Sequence, residues 1–364
     1  MLIRDLLKHI ETFAPLSLAL DWDNVGLLVG DPNRAARNAL IALDITSATV
    51  DYAIKTGADI IISHHPLIFQ PLKKLNDPLL LRLIEHKLAA ICLHTNLDVA
   101  PGGVNHALAQ QLDFEIIDQL SSESCGKWYH LAVSVPSEHS DAVLAAAIDA
   151  GAGRIGSYDS CSTRSSVEGS FRPLPGSEPF SGKAGKLSHV PEELLELMVD
   201  AAVLSSVQIA IRKAHPYETP LLYWFPVSNP NPAYALGLIC KAKKPLSLQE
   251  LARHVKASLS CPDLTLWKAD QAPDTMINRI AICGGAGNSL IPEAARKAEV
   301  FISGDITYHN LLDSPIPIID AGHFYTEYPV LKRLAAEFGG IGLDCETLPL
   351  DKHDLPRKLA RIID

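Results

Sequence analysis

Short apolar runs, each closed by a glycine, a proline or a polar residue, alternate with stretches of helical spacing through the first third of the chain. Ala39-Leu-Ile-Ala-Leu-Asp-Ile45, Ile60-Ile-Ile-Ser63 and Ala89-Ala-Ile-Cys-Leu93 read as strands buried on both faces, as in a parallel sheet. Between and after them the spacing predicts helices through about 55, capped by Thr46 or Ser47, at 78–86 and at 104–112. The N-terminal stretch reads as one more amphipathic helix. This rhythm predicts βαβ units and a largely parallel sheet.

The rhythm breaks near Ser121-Ser-Glu-Ser-Cys-Gly126. Residues 129–135 then alternate like a strand and 141–149 read as a helix. A stretch rich in Ser, Gly and Pro follows over 157–191; a loop of that length is functional, mobile or a hairpin excursion. Helical spacing returns at 192–203, followed by Lys213-Ala-His-Pro-Tyr-Glu-Thr-Pro220 and a strand carrying Tyr223, Trp224 and Phe225, where aromatics are expected to face a core. His215-Pro-Tyr-Glu218 is a candidate for the mouth of a functional chamber. Asn229-Pro-Asn-Pro232 marks the exit. The strand–helix alternation then resumes, with strands at 236–241, 280–283, 300–305 and 316–320 and a Ser247-capped helix to 259. The expected fold is therefore α/β. Two similar α/β halves, 1–126 and 229–364, form one discontinuous core around an α+β insertion at 127–228.

At 364 residues there is room for two or three domains. No apolar run approaches the roughly 20 residues that span a bilayer, and the N-terminal stretch does not read as a signal peptide, so a cytoplasmic location is expected. The formal net charge of −10, with no basic stripe interleaved with aromatics, argues against nucleic acid and leaves room only for a local nucleotide pocket. Seven cysteines are scattered without a Cys-x-x-Cys pair, which suits a reducing compartment. Any metal must then be held by histidine and carboxylate.

Three strand ends supply that chemistry. His64 and His65 close the isoleucine run before Pro66; His94 and Asp98 follow the Ala89 run; His323 and Glu327 follow Pro317-Ile-Ile-Asp. A histidine pair alone could equally cap a strand or bond a carboxylate. Three such ends can converge on one crevice, and His323 and Glu327, four apart, share a helix face. Imidazole with carboxylate suits zinc, manganese or iron. Asp44, Asp305 and His309 also lie at or just beyond strand ends, as pocket-lining or ligand-orienting candidates. Cys283-Gly-Gly-Ala-Gly-Asn-Ser289 is either a tight turn or an anion cradle in which Gly284 and Gly285 present backbone N–H groups to a substrate phosphate.

Ser63-His-His-Pro-Leu-Ile-Phe69, His94-Thr-Asn-Leu-Asp98 with Ala100-Pro-Gly-Gly-Val-Asn105, Ser303-Gly-Asp-Ile-Thr-Tyr-His309 and Gly322-His-Phe-Tyr-Thr-Glu327 closely resemble the GTP cyclohydrolase 1 type 2 homologues. These are the NGG-interacting-factor-like dinuclear metal proteins, and Leu20-Asp-Trp-Asp-Asn-Val-Gly26 resembles their opening. The resemblance implies two divalent ions held by His64, His65, Asp98, His323 and Glu327. Five side chains cannot complete two coordination spheres, so a bridging carboxylate and water are required, and Glu327, which can approach both ions from a helix start, is the expected bridge. His94 becomes a proton shuttle, an orienting donor or an occasional ligand, and is the candidate catalytic residue. The implied activity is opening of the guanine imidazole ring of GTP with release of formate; phosphoester hydrolysis and ligand sensing without turnover are the alternatives. The resemblance also implies a homohexamer built as a trimer of dimers. Gly151-Ala-Gly-Arg-Ile-Gly156, Glu168-Gly-Ser-Phe-Arg-Pro173 and His215-Pro-Tyr-Glu218 resemble a ferredoxin-like insert of the PII and CutA kind, although the chain leaves little room for its third strand.

Overall fold

Ile60, Ile61 and Ile62 are all fully buried, and their side chains alternate between two cores. That is the period-two consequence of a strand covered on both faces. The computed structural model describes residues 1–121, 125–229 and 231–354. Parts of the expected break at 121–126 and of the exit at 229–232 lie outside the described residues. The chain divides into one unit made of Met1–Cys125 with the chain from Tyr234 onward, and a second made of Gly126–Ala233.

The first unit contains two principal sheets. In one, Ile60–Ser63 lies between Asn38–Ala42 and Ala89–Cys92, all parallel; Asp344–Thr347 extends the first edge in parallel and Gly26–Val29 closes the other antiparallel. In the other, Val300–Gly304 lies between Ile280–Ala286 and Ile318–Asp320, again parallel, with Thr265–Trp267 antiparallel on the last. Leu236–Ala242 and Phe114–Ser121 extend that sheet antiparallel. The same four-strand pattern of three parallel strands and an antiparallel neighbour thus occurs in both halves. Ile60, Ile62, Ile91, Ile280, Ile282 and Ile302 share one core with helices Ile3–Phe13, Val104–Gln111 and Pro329–Gly339. Helices Ser47–Thr56 and Pro78–Glu85 cover the outer face of the first sheet.

Helix boundaries follow local chemistry. The Thr46 side chain accepts from Thr49 N–H and Asp77 accepts from Leu79 and Leu80, so both helices start where a side-chain oxygen satisfies free amides. Ser247 and Glu250 form a reciprocal capping box at the start of Leu248–Leu259. No helix among the described residues is long and apolar enough to cross a membrane.

The second unit runs Trp128–Pro136, helix Ser140–Asp149, Ser162–Phe171, Ser188–Asp200, helix Leu204–Ala214, Leu222–Val227. Its first, third, second and fourth strands form one antiparallel sheet with the first and third at the centre, which is the split βαβ, ferredoxin-like order. Two expectations are corrected here. Residues 192–200 belong to a strand, not a helix: Leu195, Leu197 and Val199 are buried at period two, and pairing with a neighbour on each side overrides the apparent helical spacing. The third strand is therefore complete, and most of 157–191 is a hairpin. Tyr223, Trp224 and Phe225 are 42, 39 and 49 % exposed rather than buried, because their strand is an edge with one neighbour.

Candidate metal centre

The strand Ile60–Ser63 extends its ladder for two residues, as His64 N–H donates to Ala42 and His65 N–H to Leu43. Pro66, with no N–H, cannot continue it. The Ser63 hydroxyl donates to the His65 carbonyl at 2.9 Å, closing a turn that leaves the two rings 5.0 Å apart. Beyond Ala89–Cys92, Asn96 accepts from His94 N–H and donates to Ala14, fixing the one-turn helix Thr95–Val99 that carries Asp98. Beyond Ile318–Asp320, helix His323–Glu327 places its first and last residues on one face, with His323 Nε2 2.9 Å from Glu327 Oε1.

These ends meet. His64 Nε2 lies 3.5 Å from Glu327 Oε1 and 3.6 Å from Asp98 Oδ1, and His65 Nε2 lies 3.1 Å from Glu327 Oε2. Possible ligand atoms of His64, His65 and His94 form one compact group, and those of His65, His323 and Glu327 a second. Each ring is held from outside. The Nδ1 atoms of His65, His94 and His323 bond Asp44, Asp23 and Asp305 at 2.8, 2.9 and 2.9 Å, and His64 Nδ1 donates to the Leu93 carbonyl at 2.8 Å. A carbonyl or carboxylate only accepts, so Nδ1 carries the proton and Nε2 is left as the ligand atom in a neutral ring.

Whether such a centre fits metal ions is tested by what remains unsatisfied. His64 Nε2, Asp98 Oδ1 and Glu327 Oε2 are buried with no hydrogen-bond partner. Orphaned groups of this kind carry a desolvation cost that a cation would remove. The field agrees. Burial works to lower the His65 pKa, yet the Asp44 and Glu327 carboxylates beside the ring outweigh it and hold it at about 10. His323 is likewise pushed up to about 9, against burial, by Glu327 and Asp305. Burial would raise the Glu327 carboxyl, but the surrounding imidazoles hold it well below its ordinary range. The centre favours positive charge between its rings and acids, and its donors suit zinc, manganese or iron.

The other candidates fall in different places. Asp44 and Asp305 orient imidazoles. His309 is exposed on helix Tyr308–Leu312 with its ring against Tyr308, outside the donor groups. Of the two readings of the glycine turn, the structure supports the tight packing turn and not the anion cradle at Gly284 and Gly285: Gly284 N–H donates to Asn105 and Gly285 N–H to Thr326. Gly285 has φ +70°, and a Cβ there would lie 2.3 Å from Glu327 Oε1. Asn105 also donates to the Asp98 carbonyl at 2.9 Å, so one amide ties the two halves together beneath the centre. The sequence reading missed Asp23, whose side chain is fully buried between His94 and Thr95; its position in Asp21-Trp-Asp-Asn24 was the available signal. Cys92 and Cys283 lie nearby, but burial pushes both thiols up and keeps them protonated.

Comparison with known proteins gives a consistent answer. The model of the family described as Duf34/NIF3 (NGG1p interacting factor 3) matches residues 1–352. The chain is 36 % identical to a protein of Halalkalibacterium halodurans over 87 % of each, and 35 % identical to one of Bacillus subtilis over 88 % of each; both are named GTP cyclohydrolase 1 type 2 homolog. Among solved structures it is similar to a Bacillus cereus protein related to NIF3, with a TM-score of 0.79 at 32 % identity over 97 % of this chain and 98 % of that one.

Proposed function

Because the chain belongs to the Duf34/NIF3 family, we propose that it is a hydrolase dependent on two divalent metal ions, acting on a nucleotide or related phosphorylated heterocycle. One observation carries this reading: imidazoles held from outside through Nδ1 present their other nitrogens to buried carboxylate oxygens that lack partners. His64, His65, Asp98, His323 and Glu327 are the proposed ligands, with Glu327 bridging, and zinc is the first metal to test, ahead of manganese and iron.

Bound there, such ions supply Lewis acidity, a more acidic water and neutralisation of developing negative charge. The chain's own residues do the rest. Asp44 and Asp305 fix the tautomers of His65 and His323, so that the ligand nitrogens face inward without searching for a rotamer. His94, held through Nδ1 by Asp23, forms no ion pair through its second nitrogen among the described residues and is the proposed proton carrier. Trp22 and Phe69, both about half exposed, lie 5.6 Å apart with their planes tilted by 38°, and the Trp22 ring lies 6.0 Å from His94. That pair offers a planar base an apolar wall beside the proton carrier.

The names of the two curated relatives make GTP the first substrate to test, by ring opening at the guanine imidazole with formate release; phosphoesters are next. We also take from the family likeness a homohexamer arranged as a trimer of dimers, a PII/CutA-like role for 127–228, and a cytoplasmic location.

The test is metal analysis of purified protein with assays on GTP and generic phosphoesters, with and without chelator. Two ions per chain and turnover that disappears on chelation and in Glu327→Gln, with the fold intact, support the reading. Tight nucleotide binding without turnover would make the protein a metal-containing ligand sensor. A preparation that takes up no divalent ion overturns the metal centre itself.

A further inference from the structure

The second unit contains a cavity of about 740 Å³, within the range that holds small organic ligands. Two of the sequence motifs that the metal centre does not use, Glu168-Gly-Ser-Phe-Arg-Pro173 and His215-Pro-Tyr-Glu218, contribute much of its wall. Glu192 also lines it and is 5 % exposed. One Glu192 oxygen accepts the Tyr217 hydroxyl at 2.6 Å, and no Lys, Arg or His among the described residues forms an ion pair with Glu192. His215 does not supply that charge, because its ring donates through Nε2 to the Ser134 carbonyl and accepts Tyr217 N–H at Nδ1, which is the neutral form. Buried carboxylates without a cation are costly and uncommon.

The chain makes room for this carboxylate. A Cβ at Gly169 would lie 2.4 Å from Glu192 Cδ and 2.5 and 2.7 Å from its oxygens, so any other residue there would displace it. Around the acid the wall is aromatic: Phe171 and Phe180 stand 5.9 and 6.0 Å from the Tyr217 ring. Glu168, paired with His189 at 2.9 Å, and Glu218, which accepts Glu178 N–H, add two carboxylates to the lining against one guanidinium, Arg172. An acidic base with aromatic sides and an apolar interior matches a positively charged head on a hydrophobic body.

We propose that this cavity is a binding site for a small organic cation, an ammonium or amidinium carried on an apolar or aromatic body, with Glu192 as the counter-ion and Phe180 and Tyr217 as the ring contacts. No residue of its lining is a proposed metal ligand, and its occupancy does not depend on hydrolysis.

The experiment is ligand-observed NMR or calorimetry on the full chain with three probes of one shape: 2-phenylethylamine, 2-phenylethanol and phenylacetate. The amine should bind about tenfold more tightly than the alcohol, and the acid least. Glu192→Gln, which keeps an acceptor for Tyr217, should weaken the amine about tenfold and leave the alcohol unchanged. Phe180→Ala, at a half-exposed loop position that the fold does not need, should weaken both amine and alcohol by about threefold. The proposal is overturned if the three probes bind alike, if no probe binds at about 10 mM, or if the amine is indifferent to Phe180→Ala and to a folded Glu192→Gln.

Discussion

Asp23 Oδ1 stands 2.9 Å from His94 Nδ1, while its second oxygen takes both the backbone N–H and the hydroxyl of Thr95. The carboxylate therefore fixes the ring and the start of the turn that carries Asp98. Those hydrogen bonds outweigh burial and hold its pKa at about 2. Asp23→Asn should keep the fold, because the amide can still bond Thr95, but it can offer His94 a donor in place of an acceptor. Activity should fall by about 10- to 100-fold, as for other residues that orient a ligand or acid–base histidine. A variant with wild-type kcat and KM would remove Asp23 from this role.

Gly285→Ala asks for space the centre does not have. The added methyl meets Glu327 Oε1, and the backbone is held at a φ that alanine tolerates poorly. Stability should drop by about 1–3 kcal/mol, and metal content should fall with it. Denaturant titration and metal analysis on the same preparation check both, and normal metal content would show that Glu327 can move without cost.

Removing metal should destabilise the first unit. Ligands that bind only the folded state stabilise it by mass action, about 2.7 kcal/mol at a hundredfold excess over Kd. The thermal midpoint of the wild type is expected to fall on chelation and recover with added zinc. Glu327→Gln should show little of either response. Identical melting with and without chelator would speak against a centre that closes on ions.

The second unit should lose stability in mild acid. Burial lowers the His215 pKa, more strongly than its bond to the Ser134 carbonyl raises it. The unfolded chain, with an ordinary value of about 6.5, therefore takes up a proton first as the pH falls. The contribution is present above that value and lost as the pH drops through the lower folded one. The Tyr217 N–H bond is then broken, since a protonated Nδ1 cannot accept it. NMR titration of the ring should give a value under 6.5; a value above it would contradict the neutral assignment.

Much of the centre was legible because its signal is local. His64 and His65 end an isoleucine run that reads as a buried strand, and His323 and Glu327 carry the spacing of one helical turn, while the full ligand set was taken from the family resemblance. Helix starts at Thr46 and Ser247 were readable for the same reason. What failed depended on distant partners. The segment 192–200 offers a plausible helical spacing, and only pairing on both sides makes it a strand. The exposure of Tyr223 to Phe225 depends on their strand lying at an edge, which no run of residues states. The glycine turn stayed open between two readings because the partners of its amides, Asn105 and Thr326, lie far away in sequence. Asp23 lay within a recognised motif and was passed over because a single aspartate in a turn has no periodicity to reveal it.

The bond from Asn105 to both Asp98 and Gly284 has a consequence for the order of events during synthesis. A ribosome releases His64, His65 and Asp98 long before His323 and Glu327, and the whole second unit emerges in between. Until the late segments arrive, the early histidines lack Glu327 and Asn105 has no Gly284 to lock against, so the proposed ligand set is assembled only when the nascent polypeptide is almost finished. A product truncated before Glu327 would carry only part of the proposed ligand set.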